Sequence, residues 1–274
     1  ALVETPIYGI GLDFVYGREN LMVLEWLQGK KLIAGLVDGR NIWKNDYQNT
    51  LALLETISEK IKKEDIVLST SCSLLHVPYS LAQEQRLDPE IRAWMSFARE
   101  KLQELSELAE LFSDVNQKNS KMMLENNQKI MVAKQQSPKV IEPKVRARLG
   151  NVTPVEREGA FADRIAAQRE DLGLGLLPTT TIGSFPQTAE LRKLRRDFRN
   201  KAISRSKYDK GIYHYIDSCL KFQEEIGLDV LTHGEPERND MVEYFGEQLR
   251  GFVCTQNGWV QSYGSRCVKP PVIY

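Results

Sequence analysis

Residue types able to do chemistry gather in residues 177–186 and 229–271. The apolar run Asp229-Val230-Leu231 breaks into a polar burst, His233-Gly234-Glu235-Pro236-Glu237-Arg238-Asn239-Asp240. A strand followed abruptly by charge, Gly and Pro is how a parallel α/β protein delivers a strand end to a site. A carboxylate at Glu235 suits binding of an ammonium group, or acid–base work; the plainer alternative is a solvated surface charge. Glu237, Arg238 and Asp240 read as paired loop charges, with Asp240 also a helix N-cap. His233 has no second ligand at metal spacing and reads as a hydrogen-bonded structural histidine. Upstream, Ile182-Gly183-Ser184 sits where a strand hands over to a helix. Backbone N–H groups and a hydroxyl there suit a carboxylate or phosphate; the alternative is a tight turn with a capping serine. Arg266-Cys267 sets a bidentate donor beside a thiol. Cys267 lacks a neighbouring His in sequence to activate it, which disfavours covalent catalysis. Trp259 and Tyr263 could stack on a flat ligand, although buried packing is the commoner fate of such rings.

The elements that must position these residues read as α/β. Short apolar runs at 9–15, 32–38 and 65–71 alternate with helical periodicity at 18–27 and 47–61, the signature of a parallel sheet or a (β/α)8 barrel. Asp88-Pro89 marks the start of a long helix, with Asp as N-cap and Pro in the first turn. Residues 98–133 are helical in period. Residues 135–154 carry three prolines, cannot continue that helix, and read as a connector. Helical patterns return at 156–170, 189–201 and 208–226. The runs at 177–182 and 229–231 read as strands, and Val272-Ile273-Tyr274 as the opening of another. No GxGxxG or P-loop follows any strand, which disfavours a nucleotide-binding half.

The 274 residues carry 37 Lys plus Arg and 37 Asp plus Glu, a formal net charge of zero. That balance gives no pull toward nucleic acid or an anionic membrane. Four cysteines form no CxxC pair or secretory framework, so a reduced, cytoplasmic chain is expected. No apolar run is long enough to span a bilayer.

The motifs Thr181-Ile182-Gly183-Ser184-Phe185-Pro186-Gln187-Thr188, the stretch 229–246, and Asn257-Gly258-Trp259 through Pro270-Pro271 resemble the cobalamin-independent methionine synthase family. Val37-Asp38-Gly39-Arg40-Asn41-Ile42-Trp43 and Ser71-Cys72-Ser73-Leu74-Leu75-His76-Val77-Pro78 look like its amino-terminal domain. The resemblance implies a methyltransferase of methionine biosynthesis. Its substrates would be 5-methyltetrahydropteroyltri-L-glutamate (a 5-methyltetrahydrofolate polyglutamate) and L-homocysteine, and it would use zinc and no cobalamin. It implies parts of two (β/α)8 TIM barrels joined by a helical, Pro-containing connector. Residues 1–133 would be the later part of the amino-terminal barrel, 134–176 the connector, and 177–274 the first part of the catalytic barrel. Ile182, Gly183, Ser184 and Glu235 would bind homocysteine or methionine, while Arg266 and Cys267 would bind the folate. The family's zinc site pairs a His-x-Cys with a further Glu and Cys, and its proton donor is a histidine. His76, His214 and His233 each lack a cysteine two residues on. We therefore expect an internal piece of a longer enzyme, with no catalytic or metal-ligating residue of its own and no turnover alone. The rival expectations are a noncatalytic binding or scaffold remnant, or a barrel methyltransferase with another thiol or methyl donor. Oligomeric state is left open.

Overall fold

The computed structural model describes residues 2–27, 29–113, 117–153, 156–238 and 240–274. Ala1, the middle of the helix expected over 98–133, Pro154 of the expected connector and Asn239 of the polar burst lie outside the described residues. The chain divides into two compact units, residues 1–147 with 245–274, and residues 148–244.

The first unit is built on β1 (Gly9–Asp13), β2 (Lys31–Val37) and β3 (Ile66–Thr70), a parallel sheet of order β1-β2-β3. Its register places Leu12 beside Ala34 and Ala34 beside Leu68. The central strand buries Leu32, Ala34, Leu36 and Val37, as a strand paired on both edges and covered by other elements does. Helix α1 (Tyr47–Ser58) starts on Asp46, whose side chain accepts the Asn49 N–H, and it adds Leu53, Leu54 and Ile57 to the core.

One expectation about this unit is sharpened and one corrected. The helix expected at 18–27 forms at Arg18–Trp26 and is a 3-10 helix. Leu21, Leu24 and Leu27 pack into the core at a spacing of three, the repeat at which 3-10 side chains line up. The helix capped by Asp88 is not long: α2 (Pro89–Ala93) has five residues, and α3 (Ala98–Ser113) begins anew. Between them Lys44 N donates to the Trp94 carbonyl, Ser96 N donates to that of Ile42, and Trp43 bridges Met95. Burying Trp94, Met95 and Phe97 outweighs continuing the helix.

Helix α4 (Gln117–Gln136) follows, then α5 (Pro143–Gly150). The latter lies inside the expected connector and is a new helix, not a continuation of α4. Pro143 is its first residue, where a missing N–H loses no bond. At the other end of the chain, β4 (Phe252–Val253) pairs antiparallel with β7 (Val272–Ile273), and β5 (Val260–Gln261) with β6 (Cys267–Val268). The expected opening of a further strand at 272–274 is thus the edge of an antiparallel pair, pinned by Val272 and Tyr274 packing beside Trp94.

In the second unit α6 (Phe161–Leu172) ends on Gly173 with φ of 60°. Helix α7 (Ala189–Arg199) starts on Thr188, whose hydroxyl accepts the Leu191 N–H, and α8 (Arg205–Glu225) starts on Ser204. Asp240 caps α9 (Met241–Gln248), accepting the Glu243 N–H at 2.9 Å. The Leu194 side chain of α7 sits on the bare backbone of Gly211 in α8, where a Cβ would lie 2.7 Å from it.

The strands expected at 177–182 and 229–231 do not form. The segments run side by side, with Val230 N donating to the Thr179 carbonyl and Phe185 N to that of Gly234. Side chains supply the rest. Asp229 accepts the Thr179 N–H at 2.7 Å and its hydroxyl at 2.8 Å, Thr180 donates to the Val230 carbonyl, and Thr181 meets Thr232 at 2.6 Å. With Leu177 86% and Ile182 97% exposed, these apolar runs lack the covering surface that makes such a run a buried strand. Among the described residues no helix is long and apolar enough to cross a membrane.

Candidate functional site

In the second unit the two extended segments bring Gly183, Ser184 and Glu235 together. Ser184 bridges Gly234 in parallel. Gly183 has φ of 107°, and a Cβ there would lie 3.9 Å from Glu235 Oε1, so the carboxylate lies against bare backbone. The capping-serine alternative is corrected: Thr188, not Ser184, caps the helix. The anion-site expectation loses one donor. Gly183 N is already donating to the Thr181 hydroxyl at 3.2 Å. The Ile182 side chain and Ser184 face solvent.

Glu235 is held in an unusual conformation. Its φ is 54°, one of two positive values among the described non-glycine residues, a backbone state that costs about 1–3 kcal/mol and persists only where its surroundings enforce it. Its N–H donates to His233 Nδ1 at 3.3 Å, in line with the structural role expected for that histidine. Its carboxylate pairs with Arg238, and Glu237 lies 3.7 Å from His233 Nε2. The preceding Gly234 has a φ of 83° and little room for a side chain: a Cβ would come within 3.1 Å of Cys219 Sγ and 3.2 Å of Phe185.

Two side chains that the sequence reading passed over fix this turn. Gln223 is fully buried on α8. Its Nε2 donates to the carbonyls of Thr232 (2.8 Å) and Cys219 (3.0 Å), while its Oε1 accepts the Thr232 N–H at 2.8 Å. Arg195 on α7 donates to the Pro236 and Arg238 carbonyls. The legible signal was Gln223 four residues after Cys219, a polar group on one helical face with a small apolar one. Burial raises the Cys219 thiol above its ordinary value, partly offset by a hydrogen bond with Tyr215.

Arg266 and Cys267 lie in the first unit, on the hairpin of β5 and β6. Its turn carries Gly264 with φ of 62°, Ser262 N donates to the Arg266 carbonyl, and Gln261 pairs across to Cys267. Both residues are exposed, and so are Trp259 (56%) and Tyr263 (88%), which overturns buried packing as the fate of these rings. His76 Nδ1 lies 3.0 Å from the Gln261 carbonyl. Since a carbonyl only accepts, Nδ1 carries the proton. A cleft of about 340 Å³ runs along this unit, lined by Asn41, Trp43, His76, Thr255, Val260 and Pro270 among others. The residues that the resemblance assigns to homocysteine and those it assigns to the folate thus belong to different compact units.

Glu84 was also overlooked. It is fully buried, and its carboxylate accepts the backbone N–H groups of Gln256 (2.6 Å) and Asn257 (2.7 Å). The available signal was an acid spaced three residues from both Leu81 and Leu87, each of them buried.

Among the described residues no three His, Cys, Asp or Glu side chains gather to hold a metal ion. These residues do not fit the zinc that the resemblance implies.

Residues 177–274 match the family model "Cobalamin-independent synthase, Catalytic domain" and residues 1–62 match "Cobalamin-independent synthase, N-terminal domain". Three similar proteins carry the name 5-methyltetrahydropteroyltriglutamate–homocysteine methyltransferase. That of Desulforamulus reducens is 69% identical, over 100% of this chain and 36% of its own length. That of Xylella fastidiosa is 49% identical, over 99% and 36%. The chloroplastic protein 3 of Arabidopsis thaliana is 46% identical, over 98% and 33%. The chain therefore spans about a third of the length of these relatives. With the two matched domains covering more than half of it in order, the chain belongs to the cobalamin-independent synthase family.

Proposed function

We propose that this chain is the substrate-gripping portion of an enzyme that moves the methyl group of 5-methyltetrahydropteroyltri-L-glutamate to L-homocysteine, giving L-methionine. The observation that carries the reading is Glu235, fixed at a positive φ against the bare backbone of Gly183. The residues that resemble the family's amino-acid site thus sit side by side. In this reading the ammonium group of homocysteine takes over the carboxylate that Arg238 now holds. The substrate carboxylate lies along Ile182-Gly183-Ser184, with the exposed Ser184 hydroxyl as donor. Arg266 offers its guanidinium fork to the folate, with Cys267 as a contact rather than a nucleophile. Exposed Trp259 gives a flat face beside them.

Methyl transfer needs the thiol deprotonated and the folate nitrogen protonated. None of the described residues takes either role here: the nearest histidine to Glu235, His233, is spent on the turn. Zinc, and the ligands for it, we assign to the longer protein. The chain would then bind homocysteine without turning it over. We further propose the division into 1–133 of one (β/α)8 barrel, a connector at 134–176, and 177–274 of a second. A reducing, cytoplasmic setting accords with four cysteines that form no disulfide among the described residues.

Calorimetry of the chain with homocysteine tests the reading. Binding that Glu235→Gln weakens is expected, together with no methionine from homocysteine and methylfolate. Equal affinity in Glu235→Gln, or methionine formed by the chain alone, overturns it. A preference for the triglutamate over the monoglutamate folate is expected as well; absence of any preference favours another methyl donor.

A further inference from the structure

The turn that leads into the hairpin bearing Arg266 and Cys267 is tied to one buried carboxylate, that of Glu84. Residues 255–258 make a tight turn: Gly258 N donates to the Thr255 hydroxyl at 3.1 Å, and a Cβ on Gly258 would collide with that side chain. The turn presents the successive N–H groups of Gln256 and Asn257 to one side, and both land on the Glu84 carboxylate. Consecutive backbone donors converging on one point form an anion-binding concavity. Here the anion is a side chain from a loop more than 170 residues earlier in sequence. The same loop adds Arg86 N donating to Gln256 Oε1 at 3.0 Å and Asn257 Nδ2 donating to the Gln83 carbonyl at 3.2 Å. Four residues past Asn257, His76 Nδ1–H grips the Gln261 carbonyl, directly across the ladder from Cys267.

This geometry calls for two acceptor oxygens. Each Glu84 oxygen faces a backbone donor at 2.6 or 2.7 Å, distances typical of charge-assisted bonds. An amide would turn its NH2 group toward one of these donors. We infer that Glu84 is a positioning residue for the folate-contacting hairpin, with His76 as its second anchor. The inference rests on the folate reading of Arg266 and Cys267 only for its functional consequence; the anchoring itself is independent of that reading.

The test uses the 274-residue chain in its native form and as E84Q, E84D, H76A and R266A. Hydrogen exchange is read by mass spectrometry, and affinity for 5-methyltetrahydropteroyltriglutamate by calorimetry. In E84Q the Gln256 and Asn257 amides should exchange about tenfold to a hundredfold faster, the loss expected for a buried charge-assisted bond. Amides of β1, β2 and β3 should be unchanged, which separates release of the hairpin from unfolding. E84D keeps the charge and should recover part of the protection, and H76A should loosen 260–268 but leave 256–257 protected. Unaltered protection at 256–257 in E84Q overturns the anchoring. Affinity should fall in E84Q and R266A and partly return in E84D. Released amides with unchanged affinity in E84Q, where R266A does weaken binding, overturn the positioning role. If R266A leaves affinity unchanged, the folate reading fails, and the anchoring is decided by the exchange data alone.

Discussion

Two turns, one in each compact unit, are each pinned by one fully buried polar side chain, and the chemistry of the two pins differs. Glu84 faces two N–H groups and no carbonyl, so an anion fits and an amide does not. Gln223 faces the Thr232 N–H and the carbonyls of Thr232 and Cys219, so an amide fits and an anion does not. The polarity of the backbone being gripped selects the residue. Both pins act on backbone and touch none of the side chains proposed above as ligand contacts: Glu235 and Ser184 in one unit, Arg266 and Cys267 in the other.

Exchanging the logic of the pins gives the largest expected effect. Gln223→Leu would strip partners from the part-buried N–H and carbonyl of Thr232, while the Cys219 carbonyl keeps its bond within α8; such losses run to about 1–3 kcal/mol for each unsatisfied group. We expect the unfolding free energy to fall by roughly 2–4 kcal/mol in urea denaturation. Gln223→Glu should do nearly as badly, because a carboxylate oxygen would face the Thr232 carbonyl. A Gln223→Glu protein as stable as the native chain would break the contrast between the two pins.

A smaller effect belongs to the ligand side. Glu235→Gln should weaken homocysteine binding about tenfold to a hundredfold, the value of one charge-assisted contact, while leaving stability nearly unchanged because Glu235 is 31% exposed. Arg238→Gln should move affinity the other way, since its guanidinium occupies the same carboxylate. An Arg238→Gln chain that binds homocysteine more weakly would show that Arg238 orients Glu235 rather than competing for it.

The same contrast explains what was legible in the sequence. The runs that became β1, β2 and β3 were readable because each pairs with a neighbouring strand and is covered by apolar side chains, as Leu53, Leu54 and Ile57 do for the sheet. The equally apolar Asp229-Val230-Leu231 failed as a strand because Val230 and Leu231 remain 37% exposed and Thr and Asp side chains replace the ladder. Gly183 beside Glu235 was legible as motif order, and Arg266-Cys267 as a fork beside a thiol. Glu84 and Gln223 were not, since a polar residue in a helical or turn pattern reads as solvated unless its distant backbone partner is known. Local period reports which face is buried, not which hydrogen bonds wait there.

Reactivity of the cysteines should separate the two turns by about tenfold. Cys219 sits behind Gly234, and burial pushes its thiol up, so it holds less thiolate at neutral pH. Cys267 is exposed on its hairpin. Iodoacetamide labelling followed by peptide mass spectrometry should modify Cys267 first. Faster labelling of Cys219 would mean that the Gly234–Glu235 turn opens in solution.

The smallest effect is a pH dependence confined to the second unit. Asp229 is held below the ordinary carboxylate value by the Thr179 N–H and then by its hydroxyl. A depressed folded value means that the ionised form favours the native pairing. The contribution is complete above the ordinary Asp value of 3.8 and is lost as pH falls through the lower folded value. Between about pH 5 and about pH 3, protection of the Val230 amide, corrected for intrinsic exchange, should therefore decline. Asp229→Asn should flatten that decline, because an amide does not titrate in this range. The Gln223 bonds to Thr232, being neutral, should hold at both ends of the range, so the loss should stop short of Thr232. A decline that reaches the Thr232 amide in step with Val230 would mean that the neutral pin depends on the Asp229 pairing and does not anchor the turn by itself.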